Sequence, residues 1–295
     1  MVVAVHFGIF AMQRTIGSSG IRVFPIGLGA MPLSLQRRPD EASAIGVVKA
    51  ALDAGVDFID TANSYCIDQN DVGHNERLIA KALQQLGAAN KVTVATKGGL
   101  VRPGGAWNVE ARPEALLKAC EKSLQDLGVE TITLYQLHAP DSRVPYADSV
   151  GALAKLQQEG KIRHIGLSNV DVAQIREAQR VATVVSVQNE CSVNDRGDLR
   201  NGVLKFCAGQ NIAYIAYSPV GGHYGHESLA KHRTLQELAK KHGVSPQRIM
   251  LAWLLGLGEH VVPIPGASKA RSIQDSAGAV QVKLAPDDLK KLERM

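Results

Sequence analysis

Eight times along this 295-residue chain, a short apolar run rich in β-branched residues gives way to a stretch with amphipathic helical spacing. The apolar runs cover residues 23–29, 56–61, 92–97, 132–138, 162–168, 184–189, 212–218 and 260–265. Helical spacing covers residues 41–54, 75–86, 113–127, 149–158, 173–180, 199–208, 234–242 and 270–279. A further helix opens at Ser245-Pro246, serine as cap and proline in the first turn, and runs through Ala252, Trp253 and Leu254. It and 234–242 both fall between the seventh and eighth strands, so one helix is surplus. Strand, helix and parallel strand in succession demand right-handed crossovers. Eight such units without a linker predict an α/β fold, a closed (β/α)8 TIM barrel over residues 14–295 behind a tail of residues 1–13, with extra helices near the C-terminus. A Ser-Ser-Gly turn at 18–20 adds an N-terminal β-hairpin across the barrel bottom, with Ile16 and Val23 as apolar plugs. The competing open dinucleotide-binding sheet fails on its fingerprint. Gly27-Leu28-Gly29 supplies the first two glycines, but Pro32 stands where the third belongs.

Composition removes several functions. With 45% hydrophobic and 21% charged residues the chain buries a large core, and its net charge of +5 is scattered rather than gathered into a stripe, which argues against nucleic acid. A pI near 9.0 suits small anionic ligands, phosphorylated cofactors among them. Cys66, Cys120, Cys191 and Cys207 show neither CxxC nor zinc spacing and read as reduced thiols of a cytoplasmic protein. Residues 1–11 are apolar but lack a basic start and are too short to span a bilayer, so no membrane partner is expected; Met12 is an alternative start. His223 and His226 lie three apart without a third ligand, so that segment reads as a solvated loop and no metal is expected.

In such barrels the carboxyl ends of the strands and the loops after them build the active site. Those ends are polar here. The second strand ends in Asp60, followed by Tyr65; the third ends in Lys97, the fourth in His138, the fifth in Ser168-Asn169, the sixth in Gln188-Asn189 and the seventh in Tyr217-Ser218. Each alone has an ordinary reading as a turn cap, a rim residue or a satisfied polar group. Together they have a chemical logic. A free phenol titrates near about 10, an adjacent ammonium lowers that value, and a carboxylate keeps the ammonium charged. A tyrosine so placed donates a proton to a developing alkoxide while His138 contacts the carbonyl oxygen. The hydride must come from elsewhere, which implies a nicotinamide cofactor.

The motifs GLGAM, GVDFIDTANSY, VATKGG, LYQLHAPD, EGKIRHIGLSNV, VSVQNE, IAYSPVGG and VPIPGAS follow in order at the expected strand ends, and with them the chain resembles the aldo-keto reductase family from about Thr15 to the end. The resemblance implies an NAD(P)H-dependent oxidoreductase that reduces aldehydes or ketones, with a catalytic tetrad of Asp60, Tyr65, Lys97 and His138. It implies that Ser168, Asn169 and Gln188 hold the nicotinamide carboxamide and that Tyr217 stacks on the ring. Gly29, Ala30 and Met31 match the loop near the nicotinamide, and Ser218, Pro219, Val220 and Gly222 the loop over the pyrophosphate. Gly266, Ala267, Ser268, Lys269, Arg271, Asp275 and Ser276 fall in the last cofactor segment. Here the pattern departs: Ser272, Asp275 and Ser276 stand where an Arg and a Glu-Asn pair are common. Lys269 or Arg271 would meet a 2′-phosphate, which favours NADPH over NADH.

Cys66 replaces the Gly that commonly follows the tyrosine. Met31, Tyr65, Trp107, His138 and Tyr224 are the candidates to line a small-molecule carbonyl substrate, Trp107 either on a substrate flap at 97–107 or packed in a surface turn. The alternative to an enzyme is a nicotinamide-binding regulatory or accessory subunit with little turnover.

Overall fold

A computed structural model describes residues 13–295, apart from the side chains of His223 and Tyr224. The expected tail and the alternative start at Met12 thus lie outside the described residues. Eight parallel strands follow one another around the sheet: β1 (Leu28–Gly29), β2 (Phe58–Asp60), β3 (Thr93–Gly98), β4 (Ile132–Leu137), β5 (Ile162–Ser168), β6 (Val184–Glu190), β7 (Ala213–Tyr217) and β8 (Val261–Pro263). The ring closes between first and last strands, where Gly27 and Gly29 donate their N–H groups to the carbonyls of Pro263 and Pro265, both at 3.0 Å. Glycine is needed at this seam. A Cβ on Gly29 would sit 2.7 Å from the Ile264 carbonyl oxygen, and one on Gly27 2.6 Å from the Phe58 ring.

The first strand is shorter than its apolar run. Pro25 has no N–H to give a ladder, so Arg22–Val23 pairs instead with Arg14–Thr15 as the expected hairpin, and regular strand resumes only at Leu28. Ile16 and Val23 are fully buried in the cluster that also holds Phe58, Ala95, Leu134 and Ile215, as a bottom plug requires. The period of two then sets what stands above that layer. Two residues beyond Phe58 is Asp60, beyond Ala95 is Lys97, and beyond Leu134 are Gln136 and then His138, so the barrel's own packing aims the polar groups inward.

The helices start and stop where side-chain chemistry provides. Asp40 accepts from the Ser43 N–H to open α1 (Glu41–Asp53), and Ser245 accepts from the Arg248 N–H ahead of Pro246. Between them run α2 (His74–Gln85), α3 (Pro113–Leu127), α4 (Tyr146–Gln158) and α5 (Val172–Gln179). The helix expected at 199–208 is two, α6 (Gly197–Arg200) and α7 (Val203–Gly209), because Gly202 at φ 87° turns the chain between them. The segment around His223 and His226, expected to be a solvated loop, is part of α8 (Gly222–Ala230), whose Leu229 packs against the core. Its two glycines and two histidines hid a helical period in which Leu229 is the residue that packs on the core. Then come α9 (Arg233–His242), α10 (Pro246–Gly256), α11 (Ala270–Ala277) and α12 (Pro286–Glu293). Among the described residues no helix is long and apolar enough to cross a membrane.

One buried group behind the barrel wall bears on the site. Helix α2 carries Glu76, fully buried, against the outer side of β3, where Thr96 Oγ1 donates to Glu76 Oε1 at 2.5 Å and Oε2 has no partner among the described residues. Burial, added to by the charge of Asp126, outweighs the Thr96 and Ser123 hydroxyls and Lys122, and raises this carboxyl to about 7. Native Glu76 therefore keeps its proton up to near neutrality while the unfolded chain releases it near 4.5, so folding loses ground as pH rises from there through 7. Glu76→Gln, neutral at every pH, should gain on the parent by roughly 3 kcal/mol between pH 4 and pH 8. Urea unfolding of both proteins across that range measures it; parallel curves would show that Glu76 titrates alike in the folded and unfolded chain.

Candidate active site

The polar strand ends converge on one cavity of about 600 Å³ at the carboxyl end of the barrel. At its floor Lys97 is completely buried, and its Nζ donates to Asp60 Oδ1 at 2.5 Å, to the Thr61 carbonyl at 2.9 Å and to Tyr65 Oη at 2.9 Å. All three ammonium donors are used. The other Asp60 oxygen accepts from Gln188 Nε2 at 2.7 Å and Gln136 Nε2 at 3.2 Å. Burial draws the Lys97 pKa down, and Asp60, foremost, with Glu76 behind the strand, opposes it.

The phenol of Tyr65 behaves otherwise than the sequence suggested. Burial, reinforced by the Asp60 carboxylate, pushes it well above the ordinary phenol value, so it rests protonated. Lys97 still stabilises the phenolate once the proton leaves, because its N–H already points at Oη. His138 moves the opposite way: burial, then the Lys97 charge, hold its imidazole far below its usual value, and the ring is neutral at physiological pH. Its ring stands edge-on to Tyr65, centroids 5.7 Å apart, with Ser64 Oγ 3.4 Å from Nδ1.

The expected cofactor residues divide into groups. Ser168, Asn169, Gln188, Tyr217, Ser218, Pro219, Val220 and Gly222 all line the cavity, as do Gly29, Met31, Gly266, Ala267 and Ser268. Asn169 and Ser218 hold left-handed backbones at φ 59° and 51°, a conformation that non-glycine residues adopt at a cost and that collects at functional sites. Asn169 Nδ2 donates to the His138 carbonyl at 2.9 Å, and Tyr217 Oη donates to Asn169 Oδ1 at 2.8 Å. Ala30 does not reach the cavity but supports it: its N–H bonds the Asp60 carbonyl, and its own carbonyl accepts from the buried Asn75. Lys269 and Arg271 are exposed beside the cavity, at the start of α11. Asp275 is engaged elsewhere, accepting from Ser245 Oγ at 2.5 Å and pairing with Arg248 Nε at 2.9 Å, while Ser276 is buried in the helix and Ser272 takes the place on the cavity wall.

Of the substrate candidates, Met31, Tyr65, Trp107 and His138 line the cavity. The side chain of Tyr224 lies outside the described residues. Trp107 sits on a hairpin in which Leu100–Val101 pairs with Asn108–Val109, its ring edge-on to Tyr65 at 6.4 Å. Cys66 is buried and its thiol is pushed up to about 11, chiefly by burial, which removes the thiolate that redox chemistry needs. Sequence reasoning missed Gln136, although its place two residues before His138 on β4 puts it on the same face. It also missed Pro32, Leu35, Gln36, Arg37, Leu100, His226 and Ile264 of the cavity wall. Most come from loops, where no period reveals direction.

Comparison with known proteins identifies the family and the fold. Residues 25–295 match the model of the Aldo/keto reductase family. A relative from Glycine max, named "Probable aldo-keto reductase 1", is 35% identical over 94% of this chain and 86% of its own. A thermostable aldo-keto reductase solved with the inhibitor epalrestat superposes with a TM-score of 0.81 at 30% identity, over 96% of this chain and 98% of that one. An aldo-keto reductase from Klebsiella pneumoniae solved in complex with NADPH gives a TM-score of 0.82 at 25% identity, over 96% and 94%. On the match across nearly its whole described length, this chain belongs to the aldo/keto reductase family and is an oxidoreductase of that family.

Proposed function

We propose that this protein reduces aldehyde or ketone carbonyls to alcohols with NADPH, using Tyr65 as the general acid. The observation that carries the reading is the Lys97 ammonium held at once against Asp60 and Tyr65 Oη in a buried site. The cavity fits a nicotinamide. Gln188 has its Nε2 occupied by Asp60 and Gln136, which leaves its Oε1 to accept from a carboxamide, and the glycines at 29, 222 and 266 keep the wall open to a close approach. When bound, the nicotinamide supplies the hydride.

The chain's own residues supply the rest. Tyr65 enters protonated because it is buried and faces a carboxylate, and it hands that proton to the carbonyl oxygen as negative charge builds there. Lys97 stabilises the phenolate left behind, and Asp60 keeps Lys97 charged and aimed. Neutral His138, with Ser64 near one ring nitrogen, offers the other to the carbonyl oxygen and fixes the substrate's orientation. Trp107 and Met31 form the apolar walls. In the reverse direction the same phenol is the base.

Lys269 and Arg271, exposed and without an ion pair among the described residues, favour the 2′-phosphate of NADPH over the hydroxyl of NADH. Asp275, its carboxylate already paired with Arg248 and bonded by Ser245, fits a role in holding α11 against α10 rather than clamping an adenine.

Two measurements test this reading. Tyr65→Phe should lower turnover by at least about a hundredfold with NADPH affinity retained, since only proton transfer is lost. Turnover at the parental rate would sink the assignment, and retained NADPH binding without carbonyl reduction in the parent itself would favour a regulatory subunit. Replacing Lys269 and Arg271 together by Ala should weaken NADPH binding by about tenfold or more while leaving NADH nearly untouched, because each supplies a charge-assisted bond to phosphate. Equal losses for both cofactors, read by fluorescence titration, would place the phosphate elsewhere.

A further inference from the structure

The hairpin that carries Trp107 is docked on the loop that follows Tyr65. Gly104 donates its N–H to Gln69 Oε1 at 2.6 Å, and Arg102 Nη2 donates to the carbonyls of Ile67 at 3.2 Å and Gly105 at 2.8 Å. Arg102 is the odd member. Its side chain is buried, only 5% exposed, yet Nε and Nη1 have no hydrogen-bond partner among the described residues. A buried guanidinium left with unmet donors is unfavourable unless something else offsets it. What offsets it is the indole of Trp107: the guanidinium carbon lies 3.7 Å from the ring centroid, a desolvated cation on an aromatic face.

Trp107 in turn is 45% exposed, so packing against its own hairpin holds it only in part. One face lies on Arg102, and the ring reaches the cavity with its plane at 80° to that of Tyr65. Leu100 from the same hairpin and Met31 from the loop after β1 add apolar wall. The result is a flat aromatic surface set beside the proton donor and pinned from behind. Lysine would not pin it in this way, since an ammonium has no plane to stack.

We propose that Arg102 is a positioning residue for substrate selection: it clamps the Trp107 indole as one wall of the carbonyl slot, so that planar aromatic carbonyls are taken in preference to short aliphatic ones. This rests on the carbonyl-reductase reading of the same site. The clamp acts through the indole and touches neither the reacting atoms nor the cofactor residues.

The test is steady-state kinetics of 2-naphthaldehyde and propanal at saturating NADPH, for the parent, Arg102→Met, Arg102→Lys, Trp107→Ala and the Met/Ala double variant. In Arg102→Met the ratio of kcat/KM for naphthaldehyde to that for propanal should fall about tenfold, the size expected for a desolvated cation on indole, and the fall should come from KM rather than kcat. Arg102→Lys should not restore the ratio, and the double variant should be no worse than Trp107→Ala alone, because Arg102 works through Trp107. If Arg102→Met does not fold, Arg102→Lys and Trp107→Ala carry the test. A ratio unmoved in every Arg102 variant, equal loss on both aldehydes, or full additivity in the double variant would each overturn the proposal. The two layers stay separable. A parent that reduces neither aldehyde brings down the reductase reading and this inference with it, whereas a parent that reduces both with the ratio unmoved in the Arg102 variants brings down this inference alone.

Discussion

A completely buried ammonium is the constraint around which the rest of this molecule is arranged. Taking Lys97 out of water is costly enough that the group would lose its charge unless every donor met an acceptor. Asp60, the Thr61 carbonyl and Tyr65 Oη meet all three. Asp60 is then itself a buried charge, and two side-chain amides, Gln136 and Gln188, complete its second oxygen. The demand for satisfaction thus spreads from one strand to the next around the barrel: β3 holds Lys97, β2 holds Asp60, β4 holds Gln136 and β6 holds Gln188. The proton transfer proposed for Tyr65 rests on that same demand, since one of the three acceptors is an ionisable hydroxyl facing the cavity.

The same reasoning explains why the phenol rests high rather than low. An ammonium bonded to a phenol stabilises the phenolate, but the carboxylate that keeps the ammonium charged lies close enough to oppose it, and burial penalises any added charge. An acid that is protonated when substrate arrives and supported only once it ionises is better suited to reduction than one already ionised. His138, held neutral by burial and by Lys97, adds no second cation to compete for the proton.

The barrel and the gathering of Asp60, Lys97 and His138 at its carboxyl end were legible in the sequence because both depend on local periods, whereas Tyr65 stands on the loop beyond β2, where no period places it. Alternation by two along β2, β3 and β4 places Asp60, Lys97 and His138 above Phe58, Ala95 and Leu134, and the length of eight strand and helix units closes the ring. Asp57, polar in an apolar run, had no such account; its Oδ1 accepts from the Phe24 N–H at 2.6 Å and ties the end of the bottom hairpin to the start of β2. That is a contact between residues 33 apart, and nothing local announces it. The pairing of Asp275 with Arg248 was hidden for the same reason, and the stack of Arg102 on Trp107 because an irregular hairpin has no period to show which side chains meet. Helix α8 was hidden for a different one, its glycines and histidines carrying almost no apolar signal.

What separates the two halves of the cavity follows from this difference. The half built by strand ends and the turns directly after them, Ser168, Asn169, Gln188 and Tyr217, is tied into the barrel by backbone ladders and by bonds such as Asn169 to the His138 carbonyl, so its geometry moves only if the barrel moves. The half built by the loops after β1, β2 and β3 is held by contacts between loops: Arg38 to Asp71, Gln69 to Gly104, Arg102 to Ile67 and Trp107. Such contacts can be exchanged one at a time without disturbing the buried ammonium beneath them. A single scaffold can therefore keep one buried polar floor while the loops above it vary, and the hairpin that carries Trp107 is one such loop in this chain.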